Sequence, residues 1–397
     1  MHAQVYLDHQ ASTPLDPRVL EAMLPFLGPK FGNAASRSHR FGWEAEKAVE
    51  LARRQVAALA GARPREIVFT SGATESDNLA LKGIAAAYRE HGNHIVTVST
   101  EHRAVLDPAR SLARGGMRLT VLDPEPDGRL NLEKLRAAIR PETVLVSVMY
   151  ANNEIGVIQP IRQIAALCHE MGTLFHSDSA QAFGKVPIDV DAEGIDLMSV
   201  SAHKMYGPKG VGALYVRRPK VRLAPQLEGG GQEFGIRSGT LNVPAIVGFG
   251  SAAALAADEM AVEAGHDRAL RDRLLSRLHA GLDGVTVNGS LAHRLPGNLN
   301  VSFAGVDSES LLMSLTDIAC STGSACSTAS VEPSHVLRAI GLGQSQARSS
   351  VRFGIGRFNT EDEMDYAANR IVEAVRKLRQ LSPQNKAVSE FPAPGVL

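Results

Sequence analysis

Short apolar runs rich in Val, Ile and Leu alternate along this chain with stretches in which apolar residues return every three or four positions. A period near 3.6 marks a helix, and a continuous β-branched run marks a strand buried on both faces. The pattern predicts a helix over residues 44–60, stopped by Gly61, and then a strand at 67–70. Further strands are expected at 94–99, 118–122, 143–149, 174–177, 196–201 and 212–216, with helices such as 78–88 and 161–171 between them. Such alternation implies an α/β fold with a mostly parallel sheet covered on both faces, whose ligands sit beyond the strand C-termini. From 251 to 282 the pattern becomes one long Ala- and Leu-rich helix, followed by strands at 298–303 and 350–353 and a helix at 361–381. That last helix opens on Glu361, Asp362 and Glu363 and closes on Arg376, Lys377 and Arg379, the order that suits its dipole. The change of pattern suggests a large domain over 16–258 and a smaller α+β domain from 1–15 and 259–382. Residues 383–397, with three prolines from 383 onward, read as a loose tail. There is no internal repeat.

Chemistry is expected at the ends of three of these strands. Thr70-Ser71-Gly72-Ala73-Thr74-Glu75-Ser76 joins a strand to a helix, with Gly72 for the tight turn and the first helical amides and the Thr74 hydroxyl as an anion site. Taken alone, the same residues read more readily as a Ser/Thr helix cap worth about 1 kcal/mol. They match neither a Walker loop nor the GxGxxG turn. Asp178 follows the strand at 174–177, and Ser201-Ala202-His203-Lys204 closes the strand at 196–201. Singly, such an acid is often a cap and such a lysine a solvated group. Together, with Asn153, Gln181 and His102 on neighbouring loops, they form the set pyridoxal phosphate needs: a lysine for its aldehyde, an acid for its ring nitrogen, and amides and hydroxyls for its phosphate.

Composition narrows the classes. The 397 residues carry 42 basic and 42 acidic side chains, so no net field points to nucleic acid or an anionic membrane. No apolar run approaches the roughly 18 residues of a membrane span, and the first residues lack a signal-peptide pattern, which makes the cytoplasm the default. Three cysteines, Cys168, Cys320 and Cys326, argue against a disulfide framework or a Cys-rich zinc site, and no metal site is expected. Cys168 falls on the apolar side of a helix and Cys320 follows an apolar pair, so both read as structural. Cys326 lies in Ser321-Thr322-Gly323-Ser324-Ala325-Cys326-Ser327-Thr328-Ala329-Ser330, whose small hydroxylic residues cannot bury it and predict a flexible, exposed loop.

With Phe31-Gly32-Asn33, Ser36 to Gly42, Thr100-Glu101-His102, Asn152-Asn153-Glu154-Ile155-Gly156, His203-Lys204, Tyr206 to Gly210, Arg237-Ser238-Gly239-Thr240 and Gly323-Ser324-Ala325-Cys326, the chain resembles the cysteine desulfurases of the class V aminotransferase family. It is most similar to their iron–sulfur-cluster housekeeping branch, from Val5 to about Ser382. The resemblance implies the fold type I of pyridoxal-phosphate transferases, with a seven-stranded sheet. It implies that Lys204 holds the cofactor as a Schiff base, Asp178 faces the pyridine nitrogen, and His102 stacks on the ring and assists proton transfer. Asn153 and Gln181 would contact the ring hydroxyl side. Ala73, Thr74, Ser201 and His203 would hold the phosphate, joined by Thr240 from the other subunit of a homodimer. Arg352 would clamp the substrate carboxylate, beside Asn153. L-cysteine would give L-alanine, with the sulfur passing to Cys326 as a persulfide and on to an iron–sulfur scaffold or other acceptor protein, for clusters and for tRNA or cofactor thiolation. A relative acting on selenocysteine or cysteine sulfinate would not need the loop thiol, and a cofactor-free scaffold of the same fold would not need Lys204. Ser179, Ala202, Gln232, Phe234, Gln10 and Ser12 depart from the branch pattern, as does the tail after Ser382 that would dock a scaffold.

Overall fold

A computed structural model describes residues 4–322 and 333–381. After a short first strand, β1 (Val5–Tyr6), the expected alternation builds β2 (Ile67–Thr70), β3 (His94–Val98), β4 (Arg118–Leu122), β5 (Thr143–Ser147), β6 (Leu174–Asp178), β7 (Leu197–Ser201) and β8 (Gly212–Val216). These seven form one sheet in the order β2-β8-β7-β6-β5-β3-β4. β8 runs antiparallel to both of its neighbours, β2 and β7. The other pairs are parallel, so β6 and β7 deliver their last residues, Asp178 and Ser201, to the same edge. Except at β4, every residue of the seven strands is buried, which is why the runs read as continuous rather than alternating.

The expected helix at 44–60 starts earlier, at Arg40, because His39 is extended and its Nδ1 accepts the Gly42 amide at 3.2 Å as a cap. The long helix also starts earlier, spanning Val243–Gly281. Pro244 sits in its first turn, where the missing amide costs nothing. Gly250 lies against Ala52 of the helix Arg40–Ala60, where a Cβ would come within 2.5 Å of the Ala52 Cα. This helix is long and apolar enough to cross a membrane by composition. Here its apolar side chains instead join two cores: Val243 to Ala256 pack with the large sheet, and Leu270 to Leu278 pack with the second domain. The expected domain boundary at 258/259 falls between these two sets.

The second core is built on the antiparallel sheet β12-β10-β9, made of β9 (Val285–Val287), β10 (Asn298–Phe303) and β12 (Ser350–Gly354), with the helix Glu361–Leu381 against it. β1 joins this domain by pairing in parallel with β11 (Ile318–Ala319). The N-terminal segment thereby passes over the edge of the large sheet before its own helix, Pro17–Leu27, begins.

Near that edge the segment 229–240 is pinned by Glu233. Its carboxylate takes two bonds from Arg53 at 2.7 Å each and one from the Phe69 amide at 2.7 Å. The pair holds Glu233 and Phe234 at φ 47° and 61°, a left-handed conformation that costs a non-glycine residue energy. Glu233→Gln leaves the buried Arg53 charge without a full partner, and we expect a loss of about 3 kcal/mol, measured as an earlier urea midpoint.

Candidate active site

The strand-to-helix turn after β2 is the first piece of the site. Gly72 has φ 151° and ψ 179°, a region open almost only to glycine, and the helix Ala73–Ala87 starts directly after it. This N-terminus has no side-chain cap. The Ser/Thr cap that the segment alone favoured is not built: the Thr70 hydroxyl meets Ser76 at 2.8 Å, and the Ser71 amide donates to Glu75 at 2.8 Å. Arg237 holds Glu75 from outside at 2.7 Å, tying the segment 229–240 to this first turn. The amides of the turn thus open into a cavity of about 510 Å³ beyond the strand ends.

The remaining pieces come from elements far apart in sequence. β6 ends in Asp178, β7 ends in Ser201, and a single 3-10 turn, Ala202–Lys204, carries His203 and Lys204 past the sheet edge. Ala73, Thr74, Ser201, His203 and Lys204 line one side of the cavity. His102, Asn153, Asp178, Gln181 and Arg352 line the rest. Of the cofactor and substrate residues expected from the sequence, only Thr240 is absent from this wall; it is exposed on the surface of the chain. Cys326 lies outside the described residues. Cys168 is buried, as expected, with burial pushing its thiol far up, and Cys320 is half-buried with its thiol pushed up to about 12, chiefly by burial.

Each placed group has a specific setting. The Lys204 ammonium donates to the carbonyls of Gln10 and Ala11, the latter at 2.7 Å. Asp178 accepts the Ala180 amide at 2.9 Å. Burial holds its carboxyl above the usual range, and that amide, His102 and Lys204 pull it back down. His102 caps the helix Arg103–Arg114, its Nδ1 accepting the Ala104 amide at 3.1 Å, so the neutral ring carries its proton on Nε2. His203 bonds Ser12 at 3.2 Å, and burial together with the charge of Lys204 pushes it down to about 4, leaving it uncharged near neutrality. Gln181 donates to the Gln10 carbonyl at 2.9 Å. Arg352 reaches the Asn153 carbonyl at 2.9 Å and Asp8 at 2.7 Å.

Several of these partners were not expected from the sequence. Asp8 and Gln10 shape the site although they lie on the N-terminal segment, whose apolar pattern is too short to place it. Behind Asp178, Asp77 and Glu101 are fully buried, and burial lifts both carboxyls well above their ordinary range. His176, pushed down to about 3 by burial, bridges Ser147 at 2.8 Å and Ser199 at 3.0 Å, with Asp77 3.6 Å away. The only sequence signal for these groups is a polar residue within an apolar run. Among the departures from the family pattern, Gln232 closes its own loop by accepting the Gly239 amide at 2.9 Å. The Phe234 ring sits between the guanidinium groups of Arg53 and Arg218, at 5.2 and 5.0 Å.

Comparison with known proteins places the chain in a family. The family model for aminotransferase class-V matches residues 5–367. A cysteine desulfurase IscS of Anaeromyxobacter sp. (strain Fw109-5) is 60% identical over 391 residues, covering 98% of this chain and 97% of that protein. One from Rickettsia africae (strain ESF-5) is 57% identical over 380 residues, covering 96% and 93%. Among solved structures, a NifS-like protein superposes with a TM-score of 0.89 at 38% identity, over 94% of this chain and all of that one. SspA in complex with cysteine gives 0.79, also at 38% identity, over 90% of this chain and 100% of that one.

Proposed function

The chain belongs to the class-V aminotransferase family and is a cysteine desulfurase, and we propose that it works with pyridoxal 5′-phosphate in the cavity described above and with Cys326 as first sulfur carrier. The observation that carries this reading is the meeting of an uncapped helix N-terminus, a buried acid, a lysine and an arginine on one cavity of about 510 Å³.

The cofactor's chemistry fits these groups. An anionic phosphate suits the first amides of Ala73–Ala87 with Thr74, Ser201 and the uncharged His203. A pyridine nitrogen that carries a proton suits Asp178, whose buried carboxyl gains from a cation beside it. Gln181 and Asn153 suit the ring hydroxyl. When bound, the group supplies an aldehyde for amines and a protonated ring that draws off negative charge from the substrate Cα.

The protein's own part is binding and proton handling. Arg352 offers its guanidinium to the carboxylate of L-cysteine, a bidentate match that lysine could not make. Asp8 aims that guanidinium. We expect Asp8→Ala to raise KM for cysteine about tenfold with little change in kcat, a loss of binding rather than of chemistry. Lys204 would take the Cα proton at Nζ, with His102 Nε2 as the second proton carrier. The Cys326 thiolate then attacks the substrate sulfur. An S–S bond forms as the Cβ–S bond breaks, and the electrons of the broken bond stay with the carbon skeleton that leaves as L-alanine.

We further propose a homodimer in which Thr240 of each chain serves the other's phosphate site. The exposed stacked pair Phe31 and Phe41, 5.3 Å apart, with exposed Trp43 beside them in sequence, is the kind of apolar patch such an interface covers. An iron–sulfur scaffold or other acceptor protein would take the sulfur, in a reducing cytoplasm that suits three cysteines without a disulfide framework. The defining experiment follows alanine and sulfide from L-cysteine with the reconstituted protein and a reductant. Equal yields of the two support the reading, and sulfide without alanine refutes it.

A further inference from the structure

Behind the wall of the cavity, where the two domains meet, lies a chamber of about 10 Å³, room for one water-sized molecule. Gln10, Lys185, Tyr206, Glu263 and Asp267 line it. The Lys185 Nζ, the Gln10 Oε1 and the Asp267 Oδ1 are buried and make no hydrogen bond among the described residues. Gln10 separates this chamber from the site: its carbonyl accepts both Lys204 and Gln181, and the same residue lines the chamber. A buried ammonium without a hydrogen bond is expensive to keep, and it persists where countercharges lie near. Asp267 and Glu263, on the long helix, are those countercharges, Glu263 being shared with Arg357, which pairs with it at 2.5 Å and also faces Asp267. Lys204 after β7 and Arg352 on β12 are the cations that face it, and His9 and His203 also lie within its field. Burial first and Lys204 next push Lys185 down to about 8, and burial pushes Asp267 up to about 7.

We propose that Lys185 is a positioning residue that acts through Lys204: its buried charge, balanced across the domain junction by Asp267, favours the uncharged Lys204 nitrogen and so readies it to accept a proton. The inference rests on the reading of Lys204 as the cofactor lysine. It follows from like-charge repulsion in a poorly solvated place, where a cation raises the cost of protonating its neighbour. It also gives a role to Gln10, whose backbone holds Lys204 directly opposite the chamber.

The test is a pH titration of the visible absorption of the holoenzyme, which follows protonation at the nitrogen joined to the cofactor. Lys185→Met and Lys185→Gln are expected to move the midpoint upward by on the order of one pH unit. Lys185→Arg keeps the charge and is expected to titrate with the wild type. Lys185→Gln retains a polar head in the chamber and serves where the Met variant does not fold. Neutral variants that titrate with the wild type or below it, or an Arg variant that rises with them, overturn the proposal. A wild-type spectrum indifferent to pH overturns this inference alone, and one unchanged in Lys204→Ala overturns the assignment of Lys204 and this inference with it.

Discussion

Lys204→Ala is expected to leave a folded protein that binds pyridoxal phosphate loosely, loses it on dialysis, shows no covalent cofactor absorption, and forms alanine from cysteine at least about 1000-fold more slowly. The reason is specific to this position. The ammonium is set just past the end of β7 by the carbonyls of Gln10 and Ala11, on the wall of the cavity that Asp178, the helix N-terminus and Arg352 also line. The other lysine on the cavity wall is Lys209, on the segment after the 3-10 turn, and among the described residues no bond of this kind joins it to the N-terminal segment. The loss of turnover therefore combines the missing covalent anchor and the missing base. Because the substitution removes a side chain from a cavity wall rather than from a packed core, the thermal midpoint should change little in the absence of cofactor. A variant that keeps both the absorption and the turnover would overturn the assignment.

Cys326→Ser is expected to do the reverse: to keep the cofactor, its absorption and its affinity, and to lose sulfur transfer by at least about 100-fold. A serine hydroxyl is not ionised near neutrality and cannot hold a sulfane sulfur. The expected readout is labelled sulfur from cysteine, retained on the wild-type protein and absent from the variant after gel filtration. The other two cysteines offer no substitute. Cys168 is fully buried in the face of the helix Ile161–Glu170 that packs on the sheet. Cys320, half-buried beside the Asp8–Arg352 pair, has its thiol pushed up to about 12, so almost none of it is thiolate at pH 7. Cys320→Ser should accordingly retain full labelling. Loss of label in Cys320→Ser with label retained in Cys326→Ser would shift the role of carrier to Cys320.

Much of the fold was legible because its causes are local. The period of the apolar residues placed all seven strands of the large sheet within two residues of their observed ends, and in all but β4 burial on both faces leaves no room for polar alternation. Where the expectation slipped, a contact between distant segments or a local cap was responsible. The long helix begins at Val243 rather than 251, with Pro244 in its first turn and Gly250 admitting the close approach of Ala52. The helix at 40 begins early because His39 turns its ring back to cap it.

The site divides in the same way. Asp178, Lys204, Thr74 and His102 stand at strand ends or helix starts, positions that an α/β alternation directs to one edge, and the motifs around them are distinctive residue by residue. Asp8, Gln10, Asp77, His176 and Lys185 have no such local signature. Asp77 reads in the sequence as an ordinary acid in a helix's early turns; it becomes a fully buried carboxyl only because that helix lies across β6 and β7, opposite His176.

By itself, then, the sequence determined the alternation of strands and helices, the family, and the candidate groups for chemistry, because periodicity, turn residues and motifs act over a few positions. The tertiary structure alone decided what those groups feel: the 510 Å³ cavity they share, the carbonyls of Gln10 and Ala11 on Lys204, the grip of Asp8 on Arg352, and the buried charge of Lys185 behind the wall. Burial and charge depend on which atoms come together across hundreds of residues, and only the folded chain specifies that.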